Sequence, residues 1–234
     1  MKVVLLAFCV VCSTAAHAQQ PQGQKPETQT KQEAPPAKKN ARPEGEQAAA
    51  VEPFERATPA EMSAQCVTLD TEAGTIVVEM LAEAAPESAR NFLNLAAEGA
   101  FDTTTFSRVV RDFVIQGGNL TTRETLTPEL LRRASRKVPD EPNAVKHLRG
   151  VVSLARPTEP NSATTHFFIL LNDAPHLDGT FAAFGRVNAG MEAVDKIAAG
   201  DLEGEKPKNP VRVRRATVAK CQPQSQPTAP APKP

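Results

Sequence analysis

The 234-residue chain contains no tryptophan and no tyrosine, so apart from four histidines its aromatic rings are all phenylalanines, ten of them. Beyond the first few residues no apolar run approaches the ~18 to 20 residues that a membrane-crossing helix needs, and no span is expected there. Charge of one sign is lacking as well. The 27 basic residues are balanced by 27 acidic ones, which gives no electrostatic reason to bind nucleic acid. The basic cluster Arg132, Arg133, Arg136 and Lys137 reads as the solvated face of a helix. His147, His166 and His176 lack paired ligand spacing, and no cysteine or acidic cluster completes a site with them, so neither a metal nor another cofactor is expected. No internal repeat is visible.

What is present is unevenly distributed. Met1 to Ala18 carries Lys2, an apolar run from Val3 to Val11, and Ala16-His17-Ala18 before Gln19. This is the pattern of a secretory signal cleaved after Ala18 at a small-x-small site. Lipid attachment at Cys9 or Cys12 is the weaker reading, because Phe8 and Val11 are bulky where such a site wants a small residue. Gln19 to Glu61 is rich in Gln, Pro, Lys, Glu and Ala and cannot bury enough surface to offset its chain entropy, so a disordered polar linker is expected. Gln222 to Pro234 reads as a proline-rich disordered tail. One domain remains between them, at 62–221, of an ordinary single-core size. Signal and linker together fit an exported, periplasmic protein.

Within that domain the apolar pattern is mostly short and strand-like. Strands are expected at Val67 to Thr71, Thr75 to Leu81, Thr105 to Val109, Phe113 to Gln116, Val151 to Ala155, Phe167 to Leu171, Phe181 to Val187 and Val211 to Lys220. Phe106 and Arg108 should share one strand face. Two helices interrupt the strands. Ala89, Phe92, Leu93 and Ala96 repeat at helical spacing between Pro86 and Gly99, and Met191, Val194, Ile197 and Ala198 do so before Gly200. A third helical piece is expected at Thr127 to Lys137, where Thr127 can cap and Pro128 fits the first turn. Pattern alone leaves a barrel and a sandwich nearly tied.

The most informative stretch is FSRVVRDFVIQGG, from Phe106 to Gly118. With HLRGVVSLARPTEPNSATTHFFILLNDAPHLDGTFAAFGRV from His147 to Val187, and GMEAVDKI from Gly190 to Ile197, the chain resembles the cyclophilins, the peptidyl-prolyl cis-trans isomerases, over Cys66 to Cys221. The resemblance implies a mainly β fold: a closed eight-stranded antiparallel barrel capped by two α-helices. It also implies an exported isomerase that accelerates X-Pro isomerisation during protein folding, with proline-containing, unfolded or partly folded polypeptides as partners.

By the same resemblance Arg108, Phe113 and Gln116 are the catalytic set. Val114, Leu154, Ala155, Arg156, His166, Phe168, His176, Leu177 and Phe181 form the substrate-binding groove. Arg108 is the donor to the twisted amide, Gln116 orients the substrate carbonyl, and the backbone near Arg156 pairs with the peptide. Some positions depart from the family pattern. Leu154 stands where many members have methionine, Arg156 for asparagine, Ser107 for histidine, His166 for glutamine and His176 for tryptophan. The last change implies weak binding of the cyclic peptide cyclosporin. A non-catalytic proline-peptide-binding chaperone or scaffold module of the same fold is the alternative that His166 and His176 leave open. In the family's barrel the first and last strands pair antiparallel, which implies that Cys66 and Cys221 meet and form a disulfide.

Overall fold

The computed structural model describes residues 51–222. The expected signal, residues 19–50 of the expected linker and residues 223–234 of the tail lie outside the described residues. Residues 51–61 correct the linker boundary, because they carry turns and helix α1 (Pro59–Ser63). The Thr58 side chain accepts a bond from the Glu61 amide, and Glu61 Oε2 accepts one from the Thr58 amide at 2.7 Å. This reciprocal cap satisfies two donors that a helix start otherwise leaves open. Met62 is fully buried, and Arg90 donates to the carbonyls of Phe54 and Ala57. The segment is therefore part of the domain.

The strands follow in chain order as β1 (Gln65–Thr71), β2 (Gly74–Met80), β3 (Arg108–Val110), β4 (Val114–Gly117), β5 (Val151–Leu154), β6 (Phe167–Leu170) and β7 (Ala183–Ala189), then a small hairpin of β8 (Leu202–Glu203) and β9 (Lys206–Pro207), and finally β10 (Val213–Lys220). Eight of them form one antiparallel sheet in the order β10-β1-β2-β7-β5-β6-β4-β3. Each expected strand segment contributes to it. The sheet curls into a half-barrel and does not close, which corrects the expectation of a closed barrel. Its outer strands β10 and β3 share no ladder. Only the isolated bridge of Thr105 with Arg212, and single bonds such as Phe106 N to Val211 O, join the chain on either side. The strand alternation breaks at Phe106, whose side chain turns into the core with no exposure, and the regular part of β3 is three residues long. Phe106 and Arg108 consequently do not share a face.

Helix α2 (Pro86–Ala97) packs against β7 and β10. Its cap residue Ala85 has no side chain to offer, and Glu141 supplies the cap from afar, accepting from the amides of Glu87 at 2.9 Å and Ser88 at 2.7 Å. A carboxylate there also suits the positive end of the helix dipole. Helix α3 (Pro128–Ala134) is shorter than the expected 127–137 and starts under a Thr127 cap. Helix α4 (Met191–Ala198) packs on β2 and β4 behind Gly190, whose φ is 94° and where a Cβ would lie 2.0 Å from the Thr75 carbonyl oxygen. Only glycine fits that approach.

The basic cluster splits in two. Arg132 is solvated, with 71% of its side chain exposed, but the Arg133 side chain is only 10% exposed and lies 2.6 Å from the Glu52 carboxylate. The core is built around Phe92, whose ring lies 5.0 to 5.1 Å from those of Phe101, Phe167 and Phe184.

Cys66 and Cys221 are joined by a disulfide, with Cα atoms 4.9 Å apart. The pairing of β1 with β10 sets Cys66 opposite Ala219, and the Cys221 amide bonds to the Ala64 carbonyl at 3.0 Å, which brings the two ends of the sheet's first and last strands together. The cross-link spans a sequence separation of 155. Loops of that length stabilise by roughly 4 to 5 kcal/mol in the chain-entropy account. We therefore expect reduction, or Cys66→Ser with Cys221→Ser, to lower the urea midpoint markedly while leaving the far-UV circular dichroism of the folded state unchanged. Non-reducing peptide mapping should recover the linked pair, and two alkylatable thiols in the protein from its native compartment would contradict it.

Candidate active site

Residues on a strand alternate between its faces, and the ladders around β4 turn that rule into a site. Arg108 pairs with Gln116 and Val110 with Val114 across β3–β4, while Val114 pairs with Leu170 and Gln116 with Phe168 across β4–β6. All six therefore lie on one face. Val109, Ile115, Phe167 and Ile169 take the other and enter the main core. The first face carries a separate apolar cluster of Val114, Val151, Phe168, Leu170, Leu177 and Ala183, with Phe113, Ala155 and Phe181 against it.

Above that cluster opens a cavity of about 340 Å³. Its lining includes Arg108, Phe113, Val114, Gln116, Ala155, Arg156, Phe168, His176, Leu177 and Phe181, which brings together ten of the twelve residues named from the sequence. His166 lies beside it, lining a neighbouring cavity that shares Arg108, Gln116, Ala155 and Arg156. Leu154 is the exception. It pairs with Phe167 and is 3% exposed in the main core, because Ala155 next to it faces the groove and alternation sends Leu154 the other way. Its place in the groove is withdrawn.

The walls are aromatic on two sides. Phe168 meets Phe181 edge to face with centroids 5.7 Å apart, and His176 lies 5.5 Å from Phe113. Imidazole thus does line the wall. The Arg156 guanidinium sits 5.2 Å above the Phe181 ring, where its charge meets the negative ring face, and its Nε reaches Asp140 at 3.2 Å.

A polar row runs along the mouth. Arg108 Nη1 donates to Gln116 Oε1 at 3.3 Å, and Gln116 Nε2 lies 3.3 Å from His166 Nδ1. Burial pushes the His166 imidazole below its ordinary range, so the ring is neutral and Nδ1 accepts from the Gln116 amide. That fixes which way the Gln116 amide points. Arg108 is held from the other side by Glu205, whose carboxylate lies 2.7 Å from Nε, and 42% of the Arg108 side chain remains exposed to a ligand. Glu205 was missed in the sequence. Its hairpin is four strand residues around Gly204, and only the Glu-Gly-Glu turn at 203–205 could have hinted at it.

Behind the pocket, His147 lies 3.2 Å from Asp178 and 3.1 Å from Ser153. The order resembles a nucleophilic triad, but Ser153 is fully buried and His147 is 1% exposed, so no substrate carbonyl reaches the hydroxyl. The row instead pins the loop that carries His176 and Leu177. The His147 amide and Lys146 hold the Asp178 carboxyl down to about 2, and burial keeps the His147 ring neutral. Among the described residues no group of three or more His, Cys, Asp or Glu is placed to hold a metal ion.

A guanidinium and an amide thus stand at the mouth of an aromatic pocket, beside an extended strand. The sequence profile of the family described as cyclophilin type peptidyl-prolyl cis-trans isomerase/CLD matches residues 66–218, and the chain belongs to that family. It is 35% identical to the peptidyl-prolyl cis-trans isomerase cypE of Dictyostelium discoideum, over 67% of this chain and 99% of that protein. It is 32% identical to peptidyl-prolyl cis-trans isomerase A of Dickeya dadantii, over 66% and 84% respectively. The same fold occurs in a cyclophilin-type isomerase of Cryptosporidium parvum solved in the presence of the dipeptide Ala-Pro, with a TM-score of 0.58, 24% identity, and coverage of 67% of this chain and 99% of that one.

His147 and His166 both have pKa values lowered by folding, so the unfolded chain binds more protons once the pH falls below roughly 6.5. Their contribution to stability is complete above that value and is lost as the pH drops toward the folded values. We expect the unfolding midpoint to fall between about pH 7 and pH 5, and His166→Gln to flatten part of that slope. Imidazole nitrogen shifts showing His147 and His166 as protonated in the folded protein as in the unfolded chain at the same pH would contradict the assignment.

Proposed function

We propose that the protein is a peptidyl-prolyl cis-trans isomerase that accelerates X-Pro isomerisation in exported proteins as they fold. One observation carries the activity: Arg108 and Gln116 face each other across β3–β4 at the mouth of the apolar pocket. The signal-like first eighteen residues and the polar linker are what support export and a periplasmic location. The Ala-Pro dipeptide present with the Cryptosporidium parvum protein supports proline as the pocket's occupant.

Rotation about an X-Pro bond breaks no covalent bond but crosses a barrier of ~18 to 20 kcal/mol, because the amide must lose its conjugation. At the twisted state the proline nitrogen becomes pyramidal and regains a lone pair. A fixed donor beside that nitrogen binds the twisted state better than either planar form. Arg108 is permanently charged, tethered by Glu205 and Gln116, and partly exposed, which suits that donor. Phe113, Phe168, Leu177 and Phe181 receive the proline ring and exclude water, favouring the less polar twisted amide. The Gln116 amide orients the substrate carbonyl. Ala155 and Arg156 continue β5 as an edge on which an extended peptide can lie.

We expect Arg108→Ala to lower kcat/KM for a proline peptide at least tenfold, equivalent to about 1.4 kcal/mol of transition-state stabilisation, with the fold intact. A protease-coupled isomerisation assay measures it, and wild-type turnover in the folded variant would defeat the mechanism. Peptide binding with no turnover in the unaltered protein would instead favour a holding module.

Cyclosporin should bind weakly, because His176 offers less apolar area than an indole at that wall. Calorimetry of the natural protein against His176→Trp should show tighter binding in the variant. Equal affinity would mean that position 176 makes no contact with the drug.

A further inference from the structure

Beside the proline pocket lies the second cavity, of about 490 Å³. Its lining carries the guanidiniums of Arg108 and Arg156, the imidazole of His166, the hydroxyls of Ser162 and Thr164, and no carboxylate. Because the two cavities share Arg108, Gln116, Ala155 and Arg156, a peptide whose proline fills one presents a neighbouring side chain to the other. Both arginines are anchored through Nε, Arg108 to Glu205 at 2.7 Å and Arg156 to Asp140 at 3.2 Å, and Arg156 also donates from Nη1 to the Pro157 carbonyl at 3.1 Å. The acids thus stand outside the lining and fix the guanidiniums without filling the cavity. The Arg156 side chain is 15% exposed, so a negative group reaching it would meet a charge only weakly screened by water.

We propose that this cavity is a subsite for a carboxylate side chain, aspartate or glutamate, on the client peptide close to the proline bond. The proposal rests on the isomerase reading and adds a substrate class to it. Guanidinium donors in a fixed orientation make strong, directional bonds to a carboxylate, the neutral His166 adds no charge of its own, and the Thr164 hydroxyl can complete its hydrogen bonding, the Ser162 hydroxyl being donated to the Glu159 carbonyl. A client lysine at the same place would find no acid among the lining groups, since Glu205 and Asp140 are already paired with the two arginines from outside the cavity.

The test uses the mature full chain and a peptide series around one X-Pro pair, with Glu, Gln or Lys placed in turn at each of the two residues on either side. At one position Glu should raise kcat/KM at least about fivefold over Gln, and Lys should fall below Gln, with the preference shrinking as salt is raised. Ser162→Asp, which sets a carboxylate into the cavity, should abolish the Glu preference and favour Lys. Calorimetric binding of the same peptides reads the Glu-to-Gln ratio independently of turnover. A ratio near one at every position, with the Gln peptide isomerised normally, overturns the subsite. Loss of turnover on every peptide with the calorimetric Glu preference intact overturns the isomerase reading and supports the subsite.

Discussion

The two-residue alternation along β6 governs the rest of the molecule. Phe167 and Phe168 are neighbours in the chain, yet Phe167 packs edge to face on Phe92 in the main core while Phe168 forms part of the pocket on the opposite face. A one-residue slip of this strand would exchange their faces, sending Phe168 into the core and Phe167 toward the pocket, each ring out of its place. The register is held from three sides. β6 pairs with both β4 and β5, and Gly117 lets the rings of Phe167 and Phe106 approach so closely that a Cβ there would lie 3.0 and 3.2 Å from them. With neither tryptophan nor tyrosine available, the chain builds its core from phenylalanine rings alone and its pocket wall from phenylalanines and the His176 imidazole. Strand register alone decides which phenylalanine does which.

The same register arranges the polar chemistry. Gln116 pairs with Arg108 on one side and Phe168 on the other, so a single β4 residue stands between the guanidinium and the aromatic wall. Its amide is oriented by a neutral His166 on one end and Arg108 on the other, a row in which each donor meets one acceptor. Glu205 adds a carboxylate at the outer side of Arg108, from a hairpin with no strand in the main sheet. Preorganised donors cost no rearrangement when charge develops. Glu205 and Gln116 together supply that preorganisation for Arg108.

Much of this was legible in the residues, because short-range pattern and ordered motifs reinforce each other. The strand segments, both main helices and the Thr127-Pro128 start of α3 follow from period, caps and glycines. The groove residues come from the family resemblance and assemble as a unit, Leu154 apart. What escaped depends on long-range geometry. Nothing local to Phe106 says that it turns inward out of alternation with Arg108, or that β3 and β10 share no ladder. Glu141 capping α2 from over fifty residues away, and Glu205 reaching Arg108, are contacts between segments whose own sequences are plain loop. The α1 cap is different. The Thr58-x-x-Glu61 signature stood in the sequence, but the polar composition around it outweighed four residues of local signal.

The segment before α1 also shows why composition misled. Glu52 is polar and stands in a stretch that composition assigned to the linker, yet its carboxylate is only 12% exposed and lies 2.6 Å from Arg133 Nε and 3.0 Å from Arg136. It also accepts from Asn94 Nδ2 at 2.6 Å. Burial lowers the Arg133 pKa while Glu52 and Glu98 oppose that shift, so the guanidinium depends on these carboxylates for compensation. The Nε approach to Glu52 is too oblique to make a hydrogen bond, which leaves that nitrogen without a partner of its own. Such a pair adds little net stability, since desolvation offsets attraction, but losing one partner strands the other charge in a poorly hydrated site. The network therefore serves position more than energy. It fixes where the incoming chain meets α2 and α3, and so makes the residues just before α1 part of the fold.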